Sequence, residues 1–159
     1  MKVPPEIYAR NVAATRGFTF EERIYSKRTT YTFYRDFLAL VQTATKELGI
    51  VDAYANQHLV NLYVAEVQDG VNVRILTKEP KENFLTVAQK FKQTSDISFE
   101  VRKNPDFHDR FALVDESCWV FGQSVSAAGA KPTYLLRIKR YDMMKEIFED
   151  LWKNATVSV

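Results

Sequence analysis

Hydrophobic residues in this chain change their period along its length, and that change limits the possible folds more than any other feature. Between residues 31 and 48, Phe33, Phe37 and Val41 recur four apart, as do Leu40, Ala44 and Leu48, the spacing of one buried helix face. Gly49 is expected to stop that helix. Residues 50–54 then read as a short buried strand, and Asn56 is placed to cap a helix over residues 57–67. After a turn at Asp69-Gly70, residues 71–77 alternate with period two, a helix centred on residues 84–91 follows, and residues 97–101 alternate again. Strands separated by helices in this way usually build a sheet from right-handed crossover units. Residues 110–114 and 118–121 are close enough to form a hairpin, and residues 133–139 make a further strand. Residues 141–154 close the chain as a helix with Met144, Ile147, Phe148 and Leu151 on one face. The expected class is α/β, a mixed β-sheet sandwiched by helices.

At 159 residues and 46% apolar content the chain suits one domain with one core, and its composition lacks the polar, core-poor signature of disorder. Residues 1–30 are expected to form an arm packed on a domain of residues 31–159, with a helix over residues 6–16 ended by Gly17 and a short strand at residues 18–20. Lys and Arg outnumber Asp and Glu by 22 to 20. That balance is too even to declare a nucleic-acid binder from net charge, so any anion site must be local. The single cysteine, Cys118, has no partner for an intramolecular disulfide and sits among apolar residues, so a buried, reduced thiol is expected. No apolar run approaches the ~20 residues of a membrane span, and the first residues begin no signal-peptide stretch. A cytoplasmic location is expected. With two histidines and one cysteine, no metal site is expected, and no glycine-rich nucleotide loop or serine nucleophile elbow points to a cofactor or an acyl-transfer site.

The informative segment is His108-Asp109-Arg110-Phe111-Ala112-Leu113-Val114-Asp115-Glu116-Ser117-Cys118-Trp119-Val120-Phe121-Gly122-Gln123-Ser124. If residues 108–114 are extended, His108 and Arg110 project from one face, placing an imidazole beside a guanidinium. With a hairpin loop of Asp115-Glu116-Ser117, Val114 faces Cys118, Arg110 faces Gly122 and His108 faces Ser124. Such a corner suits a phosphate. A guanidinium offers fixed donors to its oxygens, Gly122 would let a ligand approach the backbone, and Ser124 could add a hydrogen bond. A neutral imidazole can attack phosphorus directly. Asp115 has the wrong parity to sit beside His108 on a straight strand, which gives it a supporting role.

These residues resemble the motif of the phospholipase D superfamily: His, any residue, Lys, four residues, Asp, six residues, Gly, then a polar tail of Ser, any residue, Asn. His108, Asp115 and Gly122 match in identity and spacing. Arg110 stands for the lysine, Gln123 for the usual serine and Val125 for the usual asparagine, with Ser124 one place along to supply the hydroxyl. The resemblance covers residues 33–139, one half-unit of that fold, and looks like a divergent, single-motif branch. It implies a metal-independent phosphodiesterase, nuclease-like, in which His108 forms a phosphohistidine and Arg110 clamps the phosphate. The family's chemistry uses two such histidines, so one motif per chain implies a homodimer with a shared site. The alternative is a catalytically silent module of the same fold that binds nucleic acid or a protein.

Outside the motif, Lys131 lies on a loop that could enter the pocket, with Gln123 as a further substrate contact. His58 reads as a surface residue. Lys27-Arg28 followed by Tyr31 and Tyr34 could track and stack on a single strand of nucleic acid, as could Arg137 and Lys139 along one strand face; a charged surface explains both equally.

Overall fold

The computed structural model describes residues 21–125 and 127–159. The helix and strand expected within residues 6–20 lie outside them. Among the described residues the elements run β1 (Glu22–Tyr25), α1 (Thr30–Gln42), β2 (Glu47–Val51), a helical stretch with a π-turn (Leu59–Tyr63) and a 3-10 turn (Val64–Glu66), then β3 (Asn72–Thr77) and α2 (Phe84–Thr94). They continue with β4 (Ser98–Lys103), β5 (Phe111–Val114), β6 (Ser117–Phe121), β7 (Thr133–Ile138), α3 (Tyr141–Lys153) and β8 (Thr156–Val157). All eight strands form one sheet in the order β1-β7-β6-β5-β2-β3-β4-β8. β2, β3 and β4 are parallel, and the remaining neighbours are antiparallel. The expected mixed α/β sheet with flanking helices is the observed architecture.

Side chains alternate across the sheet and divide the core in two. On one face Leu48, Ile50, Val73, Ile75, Phe99, Val101, Ala112, Val114 and Phe121 pack under α1, the 59–66 helix and α2. Phe33, Phe37 and Leu40 of α1 meet them, with Phe37 edge-on to both Tyr63 and Phe121. On the other face Val51, Leu76, Phe111, Leu113 and Cys118 pack under Phe148 and Trp152 of α3. Burial pushes the Cys118 thiol up to about 12, so it is an inert core residue, as expected.

Polar contacts fix how α3 lies on the sheet. The Arg74 guanidinium of β3 sits 4.7 Å from the Phe148 ring and 5.3 Å from the Trp152 ring, and grips Glu149 with two hydrogen bonds of 3.1 and 2.6 Å. Glu47 at the start of β2 accepts from Lys145 and from Tyr141. Stacking of Phe148 on Trp152 completes the contact.

Three expectations are corrected. Gly49 does not stop α1, which ends at Gln42; it lies inside β2, where a Cβ would come within 3.2 Å of the Phe148 ring. The glycine is needed for close approach of α3. Asn56 does accept a hydrogen bond from the His58 backbone, but the helix it starts is wound as a π-turn and a 3-10 turn. The β5–β6 connection is a two-residue turn, not three: Val114 pairs with Ser117 and Phe111 with Val120. Asp115 takes a left-handed backbone, φ 50°, which suits a tight hairpin between twisted strands. Residues 22–25, within the span expected as an arm, are the edge strand β1 on β7.

Truncating Phe148 to Ala should lower stability by about 3–5 kcal/mol in urea titrations, since the ring is fully buried and holds α3 on the sheet. A loss under ~1 kcal/mol would mean that α3 is held by its ion pairs instead.

Candidate active site

The topology brings four segments to one end of the sheet. Val51, the last residue of β2, pairs with Leu76 of β3 on one side and with Phe111, the first residue of β5, on the other. Phe111 in turn pairs with Val120 near the end of β6. The residue after β2, the residue before β5 and the loop after β6 therefore meet at the carboxyl ends of the parallel strands, where α/β sheets form ligand crevices.

Asp52 is the centre of this meeting. It is fully buried, and its Oδ2 accepts from the Ser124 hydroxyl and from the Val125 N–H, both at 2.9 Å, while Oδ1 accepts from the Tyr54 N–H at 3.2 Å. Burial pushes the Asp52 carboxyl above the usual range; the hydrogen bonds from Val125, Tyr54 and Ser124 and the charge of Arg110 act against that push without cancelling it.

Arg110 faces the same carboxylate. Its Nε lies 3.9 Å from Asp52 Oδ1, beyond hydrogen-bond reach, and is buried with no hydrogen-bond acceptor among the described residues. Nη1 makes one long bond of 3.5 Å to the Gly122 carbonyl. The guanidinium also rests 5.9 Å from the Tyr54 ring, which Lys81 approaches to 5.3 Å. Lys81 is brought there because residues 78–81 are bound to the backbone of Ala53 and Ala55. Lys81 is itself paired with Glu79 at 3.0 Å, so the capacity for an anion rests on the Arg110 guanidinium, whose donors are mostly unspent.

The sequence-derived residues divide into two groups. Arg110, Gly122 and Ser124 come together, and His108, exposed, lies three residues ahead of β5 on the same approach. Gln123 is half-buried in the same loop, and Lys131 is exposed just before β7. Asp115 is elsewhere. Five residues along a strand separate it from Arg110, about 16 Å at ~3.3 Å per residue. Its carboxylate accepts from the backbone N–H groups of Thr45, Lys46 and Glu47 and from the Thr45 hydroxyl. Burial would raise its pKa, but these N–H donors outweigh it and hold the carboxyl below the usual range. The shorter turn also changes the register expected for the site. Phe121, not Gly122, donates to the Arg110 carbonyl. The absent side chain of Gly122 makes room for the Tyr134 ring, which would lie 2.7 Å from a Cβ there. The Ser124 hydroxyl is directed to Asp52.

Asp52, Tyr54 and Lys81 were not among the residues singled out from the sequence. The available signal for Asp52 was a carboxylate at the end of an otherwise apolar run, Ile50-Val51-Asp52-Ala53, where an acidic residue needs partners.

The fold is a mixed α/β sheet similar to that of phospholipase D family structures. Among solved structures, Nuc from Salmonella typhimurium, a phospholipase D family member, matches with a TM-score of 0.64 at 15% identity over 86% of this chain and 96% of its own. NucT from Helicobacter pylori matches with a TM-score of 0.63 at 10% identity over 86% and 98%. TrmBL2, an archaeal chromatin protein with a described mode of DNA binding, matches with a TM-score of 0.58 at 13% identity over 96% of this chain; the chain spans 62% of TrmBL2. No protein-family model and no curated protein matches the sequence. At these identities the likeness is one of fold. Among the described residues no helix is long and apolar enough to cross a membrane.

The two carboxylates should respond to pH with opposite sign. Asp115, depressed, contributes stability that is present above the ordinary value of 3.8 and lost as pH falls. Asp52, raised, contributes most below that value and loses its contribution as pH rises through its folded pKa. The stability advantage of the wild type over Asp115→Asn should thus grow from pH 3 to 6 in urea titrations, and that over Asp52→Asn should shrink. Separately, Asp115→Ala should cost about 1.5–3 kcal/mol in urea titrations, from loss of hydrogen bonds to a charged acceptor.

Proposed function

We propose that the Arg110–His108 corner binds a phosphodiester of nucleic acid and that two copies of the chain hydrolyse it without a metal. The observation that carries this reading is the Arg110 guanidinium, held at the carboxyl ends of the strands with its Nε buried, 3.9 Å from Asp52 and without a hydrogen-bond acceptor among the described residues, and with one long bond on Nη1. The motif spacing of His108, Asp115 and Gly122 supports it, as does the likeness of fold to a phospholipase D family member and to a protein described as binding DNA.

In this reading Arg110 neutralises the non-bridging oxygens, and Asp52 orients Arg110 while tying down the Ser124-Val125 backbone. Asp52 is a positioning residue. His108 attacks phosphorus, a P–N bond forms and the P–O bond to the leaving alcohol breaks. The leaving oxygen takes its proton from His108 of a second copy. That second imidazole then removes a proton from water, which cleaves the P–N bond and frees the phosphate monoester. The reaction is hydrolysis, so no redox partner is required.

A second reading is favoured by two specific contacts. The Ser124 hydroxyl is engaged by Asp52 and the space at Gly122 is filled by Tyr134, which suits anion binding more than turnover. In that case the chain is a nucleic-acid binding module with the same Arg110 contact.

Incubation of the full chain with DNA or RNA in EDTA separates the two. The first reading expects cleavage that rises with the square of protein concentration at low occupancy and is abolished in His108→Ala. Cleavage unchanged by His108→Ala would overturn it. Binding without cleavage, weakened at least tenfold in Arg110→Ala and falling steeply with salt, would establish the second.

A further inference from the structure

A half-open cavity is lined in part by the loop that Asp52 holds. Its volume is about 140 Å³. Tyr34 of α1, Tyr63 and Leu62 of the π-turn, and Val125 and Ala128 of the loop form its mainly apolar walls, with His58 beside them. Val125 belongs to both places: its side chain lines the cavity and its N–H is bound to Asp52.

Size and lining limit what fits. A cavity of roughly 150 Å³ holds one six-membered ring, whereas a site for a larger metabolite spans roughly 300 Å³ or more. The walls are aromatic and arranged in sequence. Tyr63 is buried, its ring 5.8 Å from that of half-buried Tyr34, which is 6.3 Å from that of exposed Tyr31. Lys27 and Arg28, both exposed, precede Tyr31 by four and three residues. A flat ring entering here would meet the half-buried Tyr34 ring beside Leu62, Val125 and Ala128, with the exposed His58 also among the lining residues.

We propose that this cavity receives one unpaired nucleobase of the strand whose phosphate lies at Arg110, so that the ligand is single-stranded nucleic acid. The inference rests on the phosphodiester reading of the Arg110 corner. A base in a duplex is stacked on both faces and paired along its edge, so it is not free to enter the cavity. The aromatic walls contact the faces of the ring, and a volume sized for one six-membered ring admits a pyrimidine more readily than a fused-ring purine. His58 is left to meet the edge.

The test uses the full chain carrying His108→Ala, to prevent cleavage, and a labelled 12-nucleotide oligo-dT beside an abasic strand of the same length. Anisotropy titrations should give at least about tenfold tighter binding of oligo-dT, within the range of base–aromatic stacking. Ala128→Leu, which fills the cavity, and Tyr34→Ala should each bring the two strands to equal affinity. Tyr34→Phe should retain the difference. Arg110→Ala should weaken both strands by the same factor. Circular dichroism of each variant checks that it folds. Equal binding of the two strands that still depends on Arg110 would overturn the base site and leave the phosphodiester site standing, as would a preference for oligo-dT that survives both cavity variants or duplex bound as tightly as oligo-dT. Binding of neither strand would overturn the phosphodiester reading, and this inference with it.

Discussion

The buried carboxylate of Asp52 is the contact on which the functional end of this molecule depends. A charged group in that position is costly unless its oxygens are satisfied, and here three donors from two distant segments converge on it: Tyr54 just beyond β2, and Ser124 and Val125 beyond β6. The loop after β6 is thereby bound to the end of β2, across the start of β5. Arg110, emerging into β5, finds the same carboxylate at 3.9 Å. Without Asp52 the loop would lose its anchor and the guanidinium its nearest counter-charge.

That arrangement also leaves the Arg110 guanidinium without a bidentate carboxylate partner among the described residues, its ion pair with Asp52 being long. A bidentate Asp–Arg pair would use both donors of the fork, as Arg74 does with Glu149 on the opposite face. Arg110 is held too far from Asp52 for this. The carboxylate spends its acceptors on neutral N–H and O–H groups, and Arg110 keeps its donors. The contrast between the two arginines, one bound bidentately to dock a helix and one held with donors to spare, is the observation behind the proposed anion site.

Much of the fold was legible in the sequence, because the change of hydrophobic period marks each helix and strand of the central sheet. What was missed has physical causes. β1 and β8 are short edge strands of four and two residues, with little apolar alternation to announce them. Gly49 was read as a helix stop because glycine near an apolar run usually means a cap, but its role is close packing against Phe148, a contact distant in sequence. The hairpin turn was one residue too long, and a one-residue slip moves every side chain to the other face. The pairing expected for Arg110, Gly122 and Ser124 was lost for that reason, yet the three still meet through Asp52 and the Gly122 carbonyl. Asp115 illustrates how far spacing can carry a residue's identity without its location: its match to the motif is real, and its carboxylate binds the start of β2 at the far end of the hairpin.

The central claim is that an anion recognised by Arg110 belongs at the Asp52-anchored corner. A crystal structure of the full chain grown with vanadate or tungstate, which mimic phosphate, tests it most directly. The account predicts the oxyanion bound by the Arg110 guanidinium, with His108 beside it and the Asp52 bonds to Ser124 and Val125 intact. An oxyanion bound elsewhere, with Arg110 turned to make a bidentate pair with Asp52, would contradict it.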